Sequence, residues 1–115
     1  MIEATKESFT GLVVDGVVVV DFYADWCGPC RALAPVLEQI QGARVVKVNV
    51  DKEQELALKY NVSSIPKLVV LKDGEVMSEM TGIQPIQTIQ GKIDEARVGK
   101  LTAYDEQGKK IEEQG

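Results

Sequence analysis

Of the 115 residues, two are cysteine, Cys27 and Cys30, and none is histidine. Two thiols three positions apart close only a small ring. A disulfide stabilises through the loop it closes, so a staple here constrains very little of the unfolded chain. Redox exchange suits the spacing better: one thiolate attacks a disulfide sulfur of another molecule, and the second thiol then displaces the mixed disulfide. The lack of histidine removes the commonest general base, metal ligand and pH switch together. Catalysis must therefore run on thiols, carboxylates, lysines or backbone. Two thiolates do not make a closed zinc site, so no metal is expected.

The thiols need a strand to deliver them and a helix to activate them. Residues 17–24 are β-branched, apolar on both faces and bounded by turn residues, the pattern of a buried central strand. After Cys30, Leu33, Val36, Leu37 and Ile40 recur at helical spacing, with Pro35 inside the run and Gly42 at its expected end. Cys27 thus falls where a strand gives way to a helix, beside free amide groups and a partial positive charge that favour thiolate over thiol. Gly28 and Pro29 form the entry turn, where the missing N–H of proline costs nothing.

The remaining pattern reads in the same alternating way. Thr5 caps a short helix bearing Phe9, Leu12 and Val13. Residues 45–50 form an inner strand, and Asp51 is placed to cap a helix running to about Tyr60, with Leu56 and Tyr60 facing inward. Residues 67–72 and 75–80 flank Asp73-Gly74, a two-residue hairpin signal, and Gly82 ends the second of them. Pro85 suits the first turn of a last helix, with Ile86, Ile89, Ile93 and Ala96 on one face. A short strand around Ile2 is also expected. Alternating strands and helices imply parallel crossovers, and the hairpin adds an antiparallel edge. The fold class is α/β, a mixed central β-sheet with helices on both faces.

Asp21 is the anomaly in the central strand. A lone acid there is either a strand-end residue that reaches water or a proton acceptor beneath the thiols, its pKa raised by burial towards neutrality. Lys47 is read either as its charge partner or as an ordinary surface lysine.

Trp26-Cys27-Gly28-Pro29-Cys30 resembles the active-site motif of the thioredoxin family. The resemblance extends over residues 8–97: Asp21-Phe22-Tyr23-Ala24-Asp25 to the strand entering the site, Ala34-Pro35 to the helix kink, residues 47–51 to the next strand, Ser64-Ile65-Pro66 to the cis-proline loop, and Gly82 to a glycine near the thiols. It implies a thioredoxin fold and a protein-disulfide reductase in which Cys27 is the nucleophile, Cys30 the resolving thiol and Asp21, beside Lys47, the base for Cys30. It also implies a docking surface of Trp26, Gly28, Pro29, Ile65, Pro66 and Gly82, with the Ile65–Pro66 bond cis and Ile65 free to pair with extended substrate. No cofactor is bound. The implied partners are disulfide-bearing protein substrates and a thioredoxin reductase, which carries the NADPH and FAD. Two departures stand out: Tyr23 replaces a frequent Trp, and Lys67 follows Pro66 where Thr is usual, putting a flexible cation near the site.

Length and balance agree with a globular protein: 44% hydrophobic and 27% charged residues, with a net charge of −5 that argues against a general nucleic-acid binder. Glu3 and Glu7 occupy the place of a positive leader region, and the apolar run 17–20 is too short to span a membrane. The expectation is a monomer in the cytoplasm. Residues 1–98 are read as the domain. Residues 99–115 are a polar extension, read as a frayed solvated end in preference to a small hairpin. Competing functions are a disulfide oxidase, disfavoured by Gly28-Pro29 between the cysteines, a cysteine metal site, and a binding module.

Overall fold

A computed structural model describes residues 1–98, so the reading of 99–115 lies outside the described residues. The elements run β1 (Ile2–Glu3), α1 (Lys6–Val13), β2 (Val17–Tyr23), α2 (Gly28–Leu37), β3 (Arg44–Asn49), α3 (Gln54–Lys59), β4 (Lys67–Lys72), β5 (Glu75–Thr81) and α4 (Ile86–Arg97). They form one five-stranded sheet in the order β1-β3-β2-β4-β5. β1 and β2 each lie parallel to β3, while β4 is antiparallel to both β2 and β5. The expected mixed sheet is present, with β2 at its centre.

Side chains alternate along β2, and each face has its own core. Val18, Val20 and Phe22 pack with Phe9 of α1, Leu56 of α3 and Val69 and Leu71 of β4. Val19 packs on the other face with Leu33 and Leu37 of α2, Leu68 and Val70 of β4, and Ile89 and Ile93 of α4. Fully burying a side chain such as Phe22 contributes about 1.5–3 kcal/mol, so these two layers supply the rigidity the site needs. Asp21 follows the odd-numbered alternation and therefore points to the α2–α4 face.

Local chemistry sets the element ends. Thr5 caps α1 through a reciprocal pair: Ser8 N–H donates to Thr5 Oγ1 at 3.2 Å and Thr5 N–H to Ser8 Oγ at 2.9 Å. α2 stops at Leu37, well before Gly42, because the following amides turn to tighter partners: Gln39 N–H bonds Val36 O and Ile40 N–H bonds Leu37 O. Asp51 does not cap α3. The Asn49 side chain accepts the Asp51 and Lys52 amides at 2.9 and 3.3 Å, and α3 begins only at Gln54. Asp73 and Gly74 both take positive φ, 51° and 87°, as a two-residue hairpin turn requires. Asp73 also accepts the Gly16 amide at 2.7 Å, tying the hairpin to the turn before β2. Pro85 stands at the N-cap of α4, and Ile89, Ile93 and Ala96 are its buried face.

Candidate active site

β2 ends at Tyr23, and a short turn brings the chain to Cys27, the N-cap of α2. The Cys27 sulfur accepts the Cys30 amide N–H at 3.2 Å, one of the donors a helix leaves unpaired at its start. Negative charge on that sulfur is therefore met by a helix N-terminus. Cys27 and Cys30 are joined as a disulfide with Cα atoms 5.3 Å apart. Both are nearly buried, 4% and 5% exposed, in a small cluster with Ala24 against which Val50 and Ile65 pack.

Beneath the pair lies Asp21, only 2% exposed. Its Oδ1 has no hydrogen-bond partner among the described residues. A cavity of about 170 Å³ is lined by Asp21, Cys30, Ala34, Tyr23, Arg31 and Lys47, among others, and Cys27 is not part of its wall. That volume admits water, so a proton path from Cys30 to the carboxylate needs no direct contact. Burial pushes the Asp21 pKa up to about 6, Lys47 opposes the rise and Glu3 adds to it. An acid of that strength changes charge near neutral pH.

Lys47 sits opposite Asp21 in the β2–β3 register. It makes no ion pair with Asp21 among the described residues; its ammonium rests 4.2 Å from the centre of the Tyr23 ring. It does not touch Asp21, and its charge still lowers the Asp21 pKa. Burial and the Glu3 carboxylate raise the Tyr23 pKa, and the Tyr23 hydroxyl donates to Glu3 Oε1 at 2.6 Å.

On the outer side, Trp26 is 68% exposed and forms a shallow groove with Val50, Val62, Ser63, Ser64 and Ile65. Its indole N–H donates at 2.9 Å to Asp51, the residue expected to cap α3. The Ile65–Pro66 bond is cis. Gly82 has a φ of +85°, and its N–H donates to Pro66 O at 2.8 Å, so the glycine is fastened to the proline loop. Open space lies where a Gly82 side chain would project, and Gly28 meets only the far end of Arg31.

Lys67 corrects the sequence reading. It is buried, not flexible: its ammonium donates to Tyr60 O at 2.9 Å and pairs with Glu79 at 2.7 Å. It closes the end of α3 and does not reach towards the thiols as a free cation. Three residues escape the sequence reading. Arg31 lines the cavity and donates to Asp25 O at 2.7 Å, Glu3 holds Tyr23, and Asp51 holds Trp26. Arg31 alone carries a signal, its place directly after Cys30.

Among the described residues no group of three or more His, Cys, Asp or Glu is placed to hold a metal ion. Nor is any helix of the described residues long and apolar enough to cross a membrane. The thioredoxin family model matches residues 1–95. This chain belongs to the thioredoxin family. A thioredoxin of Bacillus subtilis (strain 168) is 46% identical over 95 residues, which span 78% of this chain and 91% of the relative. A thioredoxin of Staphylococcus epidermidis (strain ATCC 12228 / FDA PCI 1200) is 40% identical over 99 residues, spanning 82% and 95%. Among solved structures, a single-site mutant of a thioredoxin from Halobacterium salinarum NRC-1 superposes with a TM-score of 0.77 at 37% identity, covering 84% of this chain and 88% of that one. The sheet order and the helix-capped cysteine pair are those of a thioredoxin fold, and the chain is a thiol–disulfide oxidoreductase working through Cys27 and Cys30.

Proposed function

We propose that this thioredoxin-family chain reduces disulfides of protein substrates, with Cys27 as nucleophile, Cys30 as resolving thiol and Asp21 as the base that serves Cys30. The Cys27 thiolate attacks one substrate sulfur, and the other substrate sulfur leaves as a thiolate. Cys30 gives its proton through the cavity to Asp21 and attacks Cys27. The substrate leaves with two electrons gained, and Cys27–Cys30 is oxidised. One observation carries the division of labour: the cavity over the buried carboxylate opens on Cys30 and not on Cys27, while the Cys27 sulfur already accepts a helix amide.

The groove between Trp26 and Ile65 suits an extended substrate segment, with Gly28, Pro29, Pro66 and Gly82 offering little bulk against its backbone. Lys47 tunes Asp21. The protein works as a monomer in the cytoplasm without a bound cofactor. A flavin-containing thioredoxin reductase, using NADPH, returns the pair to its dithiol form.

The test is reduction of a protein disulfide with dithiothreitol as electron source. Wild type accelerates it, Cys27→Ser abolishes the acceleration, and Cys30→Ser accumulates a mixed disulfide whose partners identify the substrates. Acceleration retained in Cys27→Ser refutes the assignment.

A further inference from the structure

Three strands place an acid, a base and an acid in one row. Glu3 on β1 pairs in register with Lys47 on β3, and Lys47 pairs in register with Asp21 on β2. Side chains opposite one another in neighbouring strands share a face and lie close enough to interact, so Lys47 is within reach of both carboxylates. It forms a salt bridge with neither among the described residues. Its ammonium sits instead 4.2 Å over the ring of Tyr23, two residues beyond Asp21 on the same face of β2. That ring is fixed at its far end by the 2.6 Å hydrogen bond from its hydroxyl to Glu3.

We infer that Tyr23, tethered by Glu3, is a platform that holds the Lys47 ammonium off the Asp21 carboxylate, and that both are positioning residues for the proton transfer. An aromatic face attracts a cation without neutralising a nearby acid. Without the platform, Lys47 is free to close on Asp21, and an ion pair stabilises the charged carboxylate and makes it a weaker base. The other groups around Asp21 do not substitute for this control. Cys30 and Arg31 come from α2, Asp25 from the preceding turn, and β4 places the uncharged Leu68 opposite Asp21. The Arg31 guanidinium donates to the Asp25 carbonyl.

The inference concerns the charge state of Asp21; its bearing on turnover rests on the proposed role of Asp21 as base. The experiment follows the Asp21 carboxyl by carbon-13 NMR against pH in the oxidised protein, alongside the pH profile of the resolving step. Tyr23→Leu lowers the carboxyl midpoint by about one unit, Tyr23→Trp keeps most of the wild-type midpoint, and Lys47→Met combined with Tyr23→Leu shows no further fall relative to Lys47→Met alone. Glu3→Gln lowers the midpoint through the direct loss of its charge as well, so the platform is read from the part of that fall that disappears when Lys47→Met is added. A midpoint unmoved in Tyr23→Leu overturns the inference. So does a fall in Tyr23→Leu of equal size with and without Lys47, since added solvent access alone would then explain it. If the carboxyl midpoint moves as stated while the resolving step keeps its profile, the platform stands and the role of Asp21 as base falls.

Discussion

Asp21 and Lys67 are both buried charged residues, one position apart in the pairing of β2 with β4, yet they live in opposite circumstances. Lys67 is opposite Phe22, on the α1–α3 face, and its ammonium has a carbonyl at 2.9 Å and a carboxylate at 2.7 Å. Asp21 is opposite Leu68, on the α2–α4 face, and one of its oxygens has no partner among the described residues. A buried charge that is paired has its partners supplied by the fold, and its work is to close the end of a helix. A buried carboxyl with an unpartnered oxygen has its pKa raised by the burial itself, to about 6, and keeps a proton within reach of exchange. In the proposed mechanism the chemistry uses the unsatisfied group, and the fold uses the satisfied one.

The largest expected effect separating the two is kinetic. Asp21→Asn slows the decay of the mixed disulfide by about 10²-fold at pH 7.5, the low end of what a positioned base contributes, and removes the inflection near pH 6; single-turnover mixing measures both. Lys67→Met leaves that rate and profile in place. Stability changes come next, with opposite signs. Between its ordinary value of 3.8 and about 6, folded Asp21 binds more proton than the unfolded chain does, so stability falls as pH rises through that window. Asp21→Asn therefore stabilises by about 3 kcal/mol above pH 6 and by little below pH 4, as urea unfolding at the two pH values will show. Lys67→Met destabilises by about 1–2 kcal/mol, because the Tyr60 carbonyl loses its donor, and urea unfolding measures the loss. The smallest effect belongs to Glu79→Gln, about 0.5 kcal/mol, since that carboxylate is half exposed and water replaces its partner; thermal melts resolve it at low salt and lose it at high salt.

This contrast also marks where sequence reading succeeds. The β-branched run of β2, the Asp73-Gly74 turn and the thiols at a strand-to-helix junction are local patterns, and each leads to the right element. Asp21 is legible because an acid among valines breaks such a pattern. Lys67 is not, because its partners come from the end of α3 and from β5, which only the folded sheet brings together. Local spacing offers Asp51 as a helix cap, but Asn49 pre-empts that place and leaves the Asp51 carboxylate to the indole of Trp26. The meeting of Glu3 with Tyr23 carries no signal at all. It depends on β1 joining the sheet beside β3, a pairing between distant parts of the chain that no local spacing encodes.

The central position of β2 has a consequence for biosynthesis. Both of its neighbours are encoded after it, β3 and then β4. A nascent chain therefore carries Cys27 and Cys30 before both strands that flank β2 are free to pair with it. At that stage neither the helix N-terminus nor the buried acid exists, and the two sulfurs are ordinary thiols with no special appetite for disulfides. Reactivity arrives with the sheet, so a ribosome carrying the half-made protein carries no half-made catalyst.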